Sequence, residues 1–147
     1  MEKEKILISS CLLGEPVRYD GKSQGKEEII HLKKFFELIP FCPEVAGGLL
    51  IPRSPAEIVK NRVINRNRQD VTEEYEKGAD LALRTCHELG IKKAILKSRS
   101  PSCGVGQIYD GSFSGALIRG HGVAAKKLLD HGITVYTEEN FDGLLRK

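Results

Sequence analysis

Four cysteines, Cys11, Cys42, Cys86 and Cys103, carry most of the chemistry this sequence offers. Three share a context. Cys11 follows Ser9-Ser10, Cys42 precedes Pro43-Glu44, and Cys103 stands between Ser100-Pro101-Ser102 and Gly104. Each falls in a Pro- or Gly-containing loop, where neighbouring backbone amides can stabilise a thiolate. Three convergent thiolates suit a soft metal centre. A closed structural zinc site usually needs a fourth ligand, and the sequence has no Cys-x-x-Cys pair. Three thiolates without a fourth leave one position open; in a four-iron cluster that open iron could act on a substrate as a Lewis acid. The same residues also allow a catalytic thiol with a resolving partner, or three unconnected loop cysteines. Cys86 differs. It falls on the apolar stripe of a helix, where a free cysteine behaves as a small hydrophobe. Of the histidines, His31, His87 and His131 fall on helices, mostly beside charged residues, and read as solvated surface. His121, in a loop before a helix, is the one pocket candidate.

The loop cysteines can meet only if the fold gathers them. A short apolar strand, Lys5–Ser9, precedes Cys11, which opens a loop containing Gly14, Pro16 and Gly21. Leu38–Phe41 reads as a second strand before Cys42, and Lys92–Leu96 as a third before the polar loop 97–106 that holds Cys103. A helix is expected over Glu27–Glu37 and a clearer one over Val71–Leu89. Asp70 would cap the latter, Glu73 would complete a capping box and Gly90 would stop it. Its stripe is Val71, Tyr75, Ala79, Ala82, Cys86 and Leu89. Arg62–Asn65 could form a small strand. Asp110-Gly111 signals a tight turn between Ile108-Tyr109 and Ser112-Phe113. A helix over Gly122–His131, a strand over Ile133–Tyr136 and a helix over Glu138–Leu145 close the chain. This alternation predicts a single α/β domain over residues 1–147, a three-layer Rossmann-like fold with a mostly parallel sheet. Ligands in such sheets sit beyond the carboxyl ends of the strands, near a topological switch point. Cys11, Cys42 and Cys103 all fall at that end.

Composition narrows the function classes. With 147 residues, 29% charged and 40% hydrophobic, the chain can bury a core, and disorder is excluded as its main state. A net charge of +3, from 23 Lys and Arg against 20 Asp and Glu, is too weak to argue for stable nucleic-acid binding. No apolar run approaches the length of about 18 residues expected of a membrane span. Met-Glu-Lys-Glu-Lys leads directly into a strand without signal-peptide character, so the expected compartment is the reducing cytoplasm. Lys60, Arg62, Arg66 and Arg68 form a basic stretch, read as a solvated rim or as an attraction for an anionic group such as phosphate.

The motifs together resemble a known family. They are Ser9-Ser10-Cys11-Leu12-Leu13-Gly14 with Val17-Arg18-Tyr19-Asp20-Gly21; Phe41-Cys42-Pro43-Glu44-Val45-Ala46-Gly47-Gly48-Leu49 with Pro52-Arg53 and Pro55-Ala56-Glu57; Asp70-Val71-Thr72 with Tyr75 and Gly78-Ala79; and Ala94-Ile95-Leu96-Lys97 leading to Arg99-Ser100-Pro101-Ser102-Cys103-Gly104 and Ile108-Tyr109-Asp110-Gly111-Ser112-Phe113. In this order they are similar to the DUF523 family, whose characterised members are thiouracil desulfidases, and the likeness covers nearly the whole chain. Longer relatives add a second domain and act on thiolated tRNA. The resemblance implies a [4Fe–4S] cluster held by Cys11, Cys42 and Cys103, with the fourth iron open to the substrate's sulfur. It also implies catalytic roles for Glu44 and for a serine of Ser-Pro-Ser-Cys, Ser100 in preference to Ser102. The implied reaction exchanges C=S for C=O in thiouracil or thiouridine monophosphate without redox change and releases sulfide; the alternative is a non-catalytic iron–sulfur or zinc-binding module. Arg53 could orient the substrate or form a salt bridge, Glu44 could cap a helix beginning at Val45, and Ser100 could cap the Pro101 turn. The expected partner is a small thiopyrimidine or thionucleotide, bound by a monomer or homodimer. Two departures from the family pattern, Arg66-Asn67-Arg68-Gln69 in place of a glycine-containing turn and Arg119 in place of Pro, bear on the pocket rim.

Overall fold

A computed structural model of the chain describes residues 3–13 and 27–145. The loop with Gly14, Pro16 and Gly21 and the Val17–Gly21 motif therefore lie outside the described residues. In chain order the elements are β1 (Glu4–Ser9), α1 (Glu27–Ile30), β2 (Phe36–Phe41), α2 (Pro43–Ala46), β3 (Ala56–Val59), β4 (Arg62–Asn65), α3 (Thr72–Leu89), β5 (Lys93–Leu96), β6 (Gln107–Tyr109), β7 (Leu117–Arg119), α4 (Val123–Asp130) and β8 (Thr134–Thr137). Short 3-10 turns occupy Ser10–Leu13, His31–Lys34 and Phe141–Leu145.

The main sheet runs β2-β1-β5-β8 and is parallel throughout. Strand β1 is buried on both sides, as its unbroken apolar run requires. Leu7 points to the layer formed by Ala82, Leu83 and Cys86 of α3 and Ala125 and Leu128 of α4. Ile6 and Ile8 point to the opposite layer with Ile29, Leu32 and Leu144. Strand β5 alternates in the same way, Ala94 and Leu96 to the first layer and Ile95 to the second. The expected three-layer α/β architecture is therefore present. The order of strands reverses at β1, so the crevice beyond the ends of β1 and β5 is the switch point. Strand β2 forms one edge of the sheet, with Pro40 opposite Ile8. Two antiparallel pairs, β3-β4 and β6-β7, lie outside the main sheet.

Several boundaries differ from the sequence reading. The helix expected over Glu27–Glu37 is one α-turn and one 3-10 turn, because Phe36 and Glu37 enter β2 and pair with Glu4 and Lys5. Tertiary pairing there overrides a helical spacing of apolar residues. Strand β3 was not anticipated; it pairs with the expected β4. Helix α3 begins at Thr72 with no capping box, although Asp70 Oδ1 still accepts the Thr72 amide at 2.9 Å. Cys86 is fully buried on its stripe as expected, whereas Leu89 at the last turn is exposed. The predicted tight turn at Asp110-Gly111 is a longer loop that returns only at β7, closed by the Asp110 amide bonding the Ala116 carbonyl at 3.0 Å. The amides of Gly111 and Phe113, which a tight hairpin would leave to its own ladder, bond the Glu57 carboxylate instead. In place of the closing helix there is a 3-10 turn, preceded by Glu138 and Asn140, whose side chains bond the Ser98 and Thr137 amides.

One contact places the Cys42-Pro43-Glu44 segment on α3. A Cβ on Gly78 would overlap the Pro43 carbonyl, and one on Gly47 would overlap the Glu74 carbonyl, so backbone meets backbone at both points. Overpacking of such a contact costs about 1–3 kcal/mol. Gly78→Ala is expected to lower stability by about that amount in urea or thermal melts. A change below about 0.5 kcal/mol would show that this packing does not hold α2 in place.

Candidate active site

A cavity of about 500 Å³ opens at the carboxyl ends of the parallel strands. Cys11, Cys42 and Cys103 all line it; Cys86 does not. Local chemistry sets each sulfur. Cys11 sits in the 3-10 turn that ends β1 and is 7% exposed. Cys42 precedes proline, which drives its backbone to the extended region (φ −118°, ψ 105°). Pro43, with its fixed φ and no amide hydrogen, then starts the single turn α2. That turn replaces the loop expected from the sequence. Cys103 is 5% exposed in a loop organised by Ser100, whose Oγ accepts the Ser102 and Cys103 amides, both at 3.0 Å. Ser9 ties the strand ends together: its Oγ accepts the Lys97 amide at 3.0 Å and donates to Cys103 Sγ at 3.5 Å.

Burial raises the Cys42 and Cys103 thiols above their ordinary range. For Cys103 the Ser9 hydroxyl opposes this, while charge on Cys42, Glu44 or Cys11 would add to it. Burial alone pushes Cys86 up to about 11, in keeping with an inert core thiol. Three sulfurs near enough to repel as thiolates form a donor set that calls for a positively charged, thiophilic group. Among the described residues no three Cys, His, Asp or Glu side chains converge as a single metal ion requires. The three sulfurs share the wall of a cavity large enough to admit a polynuclear iron–sulfur group.

Glu44, from α2, also lines the cavity and is held asymmetrically. Its Oε1 accepts the Tyr75 hydroxyl at 2.8 Å and Arg53 Nε at 3.1 Å, with Arg53 Nη2 also at 3.1 Å. Its Oε2 meets Ser100 Oγ at 3.5 Å. Among the described residues, one oxygen thus carries the structural bonds and the other a single long one. Tyr75 is 2% exposed, and burial first, then Glu44, raises its hydroxyl well above the usual phenol range, so it remains a donor. Arg53 sits on the cavity wall with its guanidinium turned to Glu44 and to the Leu50 carbonyl at 2.9 Å, so the salt-bridge reading is realised.

Other candidates separate clearly. Ser100 lines the cavity, whereas Ser102 does not and is fully buried, its Oγ without a partner among the described residues. Ser100 also caps its turn, as the second reading of that residue expects. His121 Nδ1 accepts the Gly106 amide at 3.0 Å and is not on the cavity wall, which removes it as a pocket candidate. Of the basic stretch only Arg66 reaches the cavity; Arg62 pairs with Asp70 at 2.9 Å. Arg119 lies on β7 outside it. Sequence reasoning missed the functions of Tyr75, Ser9 and Lys97. Tyr75 stood in both a motif and the apolar stripe, and its hydroxyl at a core position was the available signal. Lys97 lines the cavity and pairs with buried Glu138 at 2.9 Å.

Comparison with known proteins agrees with this geometry. A family model described as 2-thiouracil desulfurase matches residues 6–140. The uncharacterized protein YbbK of Bacillus subtilis (strain 168) is 39% identical over 150 residues, covering 95% of this chain and 99% of its own. A solved structure described as the [4Fe–4S]-dependent thiouracil desulfidase TudS (DUF523Vcz) superposes with a TM-score of 0.92 at 47% identity, covering 97% of this chain and 96% of that one. The matched span runs from β1 to the residue before the closing 3-10 turn and includes all three cavity cysteines and Glu44, so the chain belongs to the 2-thiouracil desulfurase family.

Proposed function

We propose that this chain is a [4Fe–4S]-dependent desulfidase of thiolated pyrimidines. What carries the reading is one arrangement: three cysteine thiols and an asymmetrically held carboxylate on the wall of the same cavity. Overall, a thiouracil and water give uracil and hydrogen sulfide. A C=S bond is replaced by C=O, and no electrons are transferred. Cys11, Cys42 and Cys103 would hold the cluster, which when bound supplies an electrophilic iron for the substrate's sulfur. Glu44 Oε2 takes a proton from the attacking water and returns it later, the role of a positioned general base and acid. Ser100 Oγ, within reach of Oε2, orients that water or the developing intermediate. Arg53 and Tyr75 fix the carboxylate through Oε1, and Arg53 orients the substrate by way of the group it holds.

The substrate class is a thiouracil-type ring, free or as thiouridine monophosphate. Lys97, Arg99 and Arg66 on the wall can take a phosphate, although Lys97 and Arg99 already pair with Glu138 and Glu139. No helix among the described residues is long and apolar enough to cross a membrane. The reading places the protein in the cytoplasm, as one domain over residues 1–147, monomeric or homodimeric, without stable nucleic-acid binding.

Anaerobically reconstituted protein is expected to release sulfide one for one with the oxo product, uracil from 2-thiouracil or 4-thiouracil and uridine monophosphate from thiouridine monophosphate. A full cluster with no sulfide from any of them would leave the non-catalytic module instead, and zinc without iron would leave the zinc module. In a Cys→Ser series, the variants at 11, 42 and 103 should lose the visible cluster absorbance, while Cys86→Ser keeps it. Glu44→Gln should retain that absorbance yet lose about 100-fold or more in kcat, the scale of general acid–base catalysis. Near-native turnover in that variant would remove Glu44 from the chemistry.

A further inference from the structure

Opposite in origin to the cysteine loops, part of the cavity wall comes from the two small antiparallel pairs. The β6–β7 loop, residues 110–116, supplies Phe113 and Gly115 to it. Phe113 has φ +59°, an unfavourable conformation for a bulky side chain. Such strain persists only where surrounding structure enforces it, and it concentrates at ligand-binding positions. The enforcement here is specific. Glu57, 8% exposed on β3, accepts the amides of both Gly111 (2.9 Å) and Phe113 (3.1 Å) on one oxygen. Gly111 has φ +93°, and a Cβ there would stand 2.9 Å from the Ile58 carbonyl, so the loop lies directly on β3. Arg66 places its guanidinium 5.7 Å from the centroid of the Phe113 ring.

Four aromatic residues line the cavity among the described residues. Phe41 packs into the core behind the sheet and Tyr75 holds Glu44, while Tyr109 stands on β6 with its backbone paired to Leu117. Phe113 alone is held by a device whose evident result is to fix a ring on the wall. A buried carboxylate bonding two amides across 54 and 56 residues of sequence is costly merely to shape an exposed loop.

We infer that Phe113 is the stacking platform for the substrate's flat heteroaromatic ring, and that Glu57 is the positioning residue that sets it. The inference rests on the desulfidase reading for its substrate class. An aromatic face accepts any planar base, so this wall would select ring shape while the opposite chemistry selects the thiocarbonyl. Loss of one aromatic–base stack weakens binding by about 5- to 150-fold. Because ground and transition states would share the stack, the loss falls on KM rather than kcat.

The test uses cluster-loaded full-length protein, with melts and cluster absorbance as folding controls. Phe113→Ala and Glu57→Ala should each raise KM for 4-thiouracil about 10-fold, with kcat per cluster changed less than about twofold. Phe113→Tyr, which keeps the ring, and Glu57→Gln, which keeps the acceptor, should recover most of that loss. The sequence contains no Trp, so Phe113→Trp carries a sole indole as a binding reporter. Its emission should be quenched saturably by 4-thiouracil and by uracil. Phe35→Trp, 60% exposed before β2, supplies the unquenched control. An unchanged KM in folded Phe113→Ala, or an indole at 113 blind to a ligand that the protein turns over, overturns the inference. Should the loaded wild type turn over no thiopyrimidine, the desulfidase reading fails and the indole titration alone decides. Saturable quenching then supports the platform, and its absence overturns it. If the alanine variants do not fold, the same titration decides.

Discussion

The contact on which the site depends is the meeting of two backbones, α2 against α3, made possible by Gly78 and Gly47. No side chain separates the Pro43 carbonyl from the helix. Tyr75 lies one helical turn before Gly78, so the approach that brings Pro43 onto α3 also brings Glu44 to the Tyr75 hydroxyl. Cys42 is placed by the same event, because Pro43 dictates both its extended backbone and the start of the turn that follows. One steric allowance thus positions a cavity thiol, a carboxylate and that carboxylate's principal hydrogen-bond donor.

Electrostatics then divides labour within a single carboxylate. Glu44 and Arg53 are a largely buried pair, with side chains 16% and 9% exposed. Such pairs are retained where geometry is good and remaining hydrogen-bonding capacity is met. Oε1 meets that condition with Tyr75 and both Arg53 nitrogens. Among the described residues the donors concentrate on that oxygen, and Oε2 faces only the Ser100 hydroxyl at 3.5 Å. The three partners come from three places in the chain, namely the segment after α2, helix α3 and the loop after β5. The orientation of Glu44 is therefore a property of the completed fold.

What the sequence made legible follows from the physics of each element. β1 and β5 carry apolar runs buried at Ile6–Ile8 and Ala94–Leu96, and α3 has a long stripe stopped at Gly90; both signals are local and strong. The division of the cysteines into three and one was legible for the same reason. Cys86 sits on a helical period, and the others sit just beyond strand ends. Phe36 was misread because its partner in β1 lies 32 residues away, and no local periodicity reports such a pairing. The return strand β7 was misplaced because the loop before it obeys Glu57, a residue more than 50 positions upstream. The same limit applied to Tyr75 and Ser9. Their hydroxyls looked incidental to a core stripe and a strand end until the tertiary structure supplied Glu44, Lys97 and Cys103 as partners.

Pro40 has a consequence for the behaviour of the whole molecule. It stands in the outermost strand of the parallel sheet, yet its pairing position opposite Ile8 is kept. A proline is tolerated in a sheet where its missing donor would have faced outward. An incoming strand from another chain would find a hydrogen-bonding gap there and a ring in its way. Edge-on polymerisation, the standing hazard of any open sheet, is blunted on that side by a single residue.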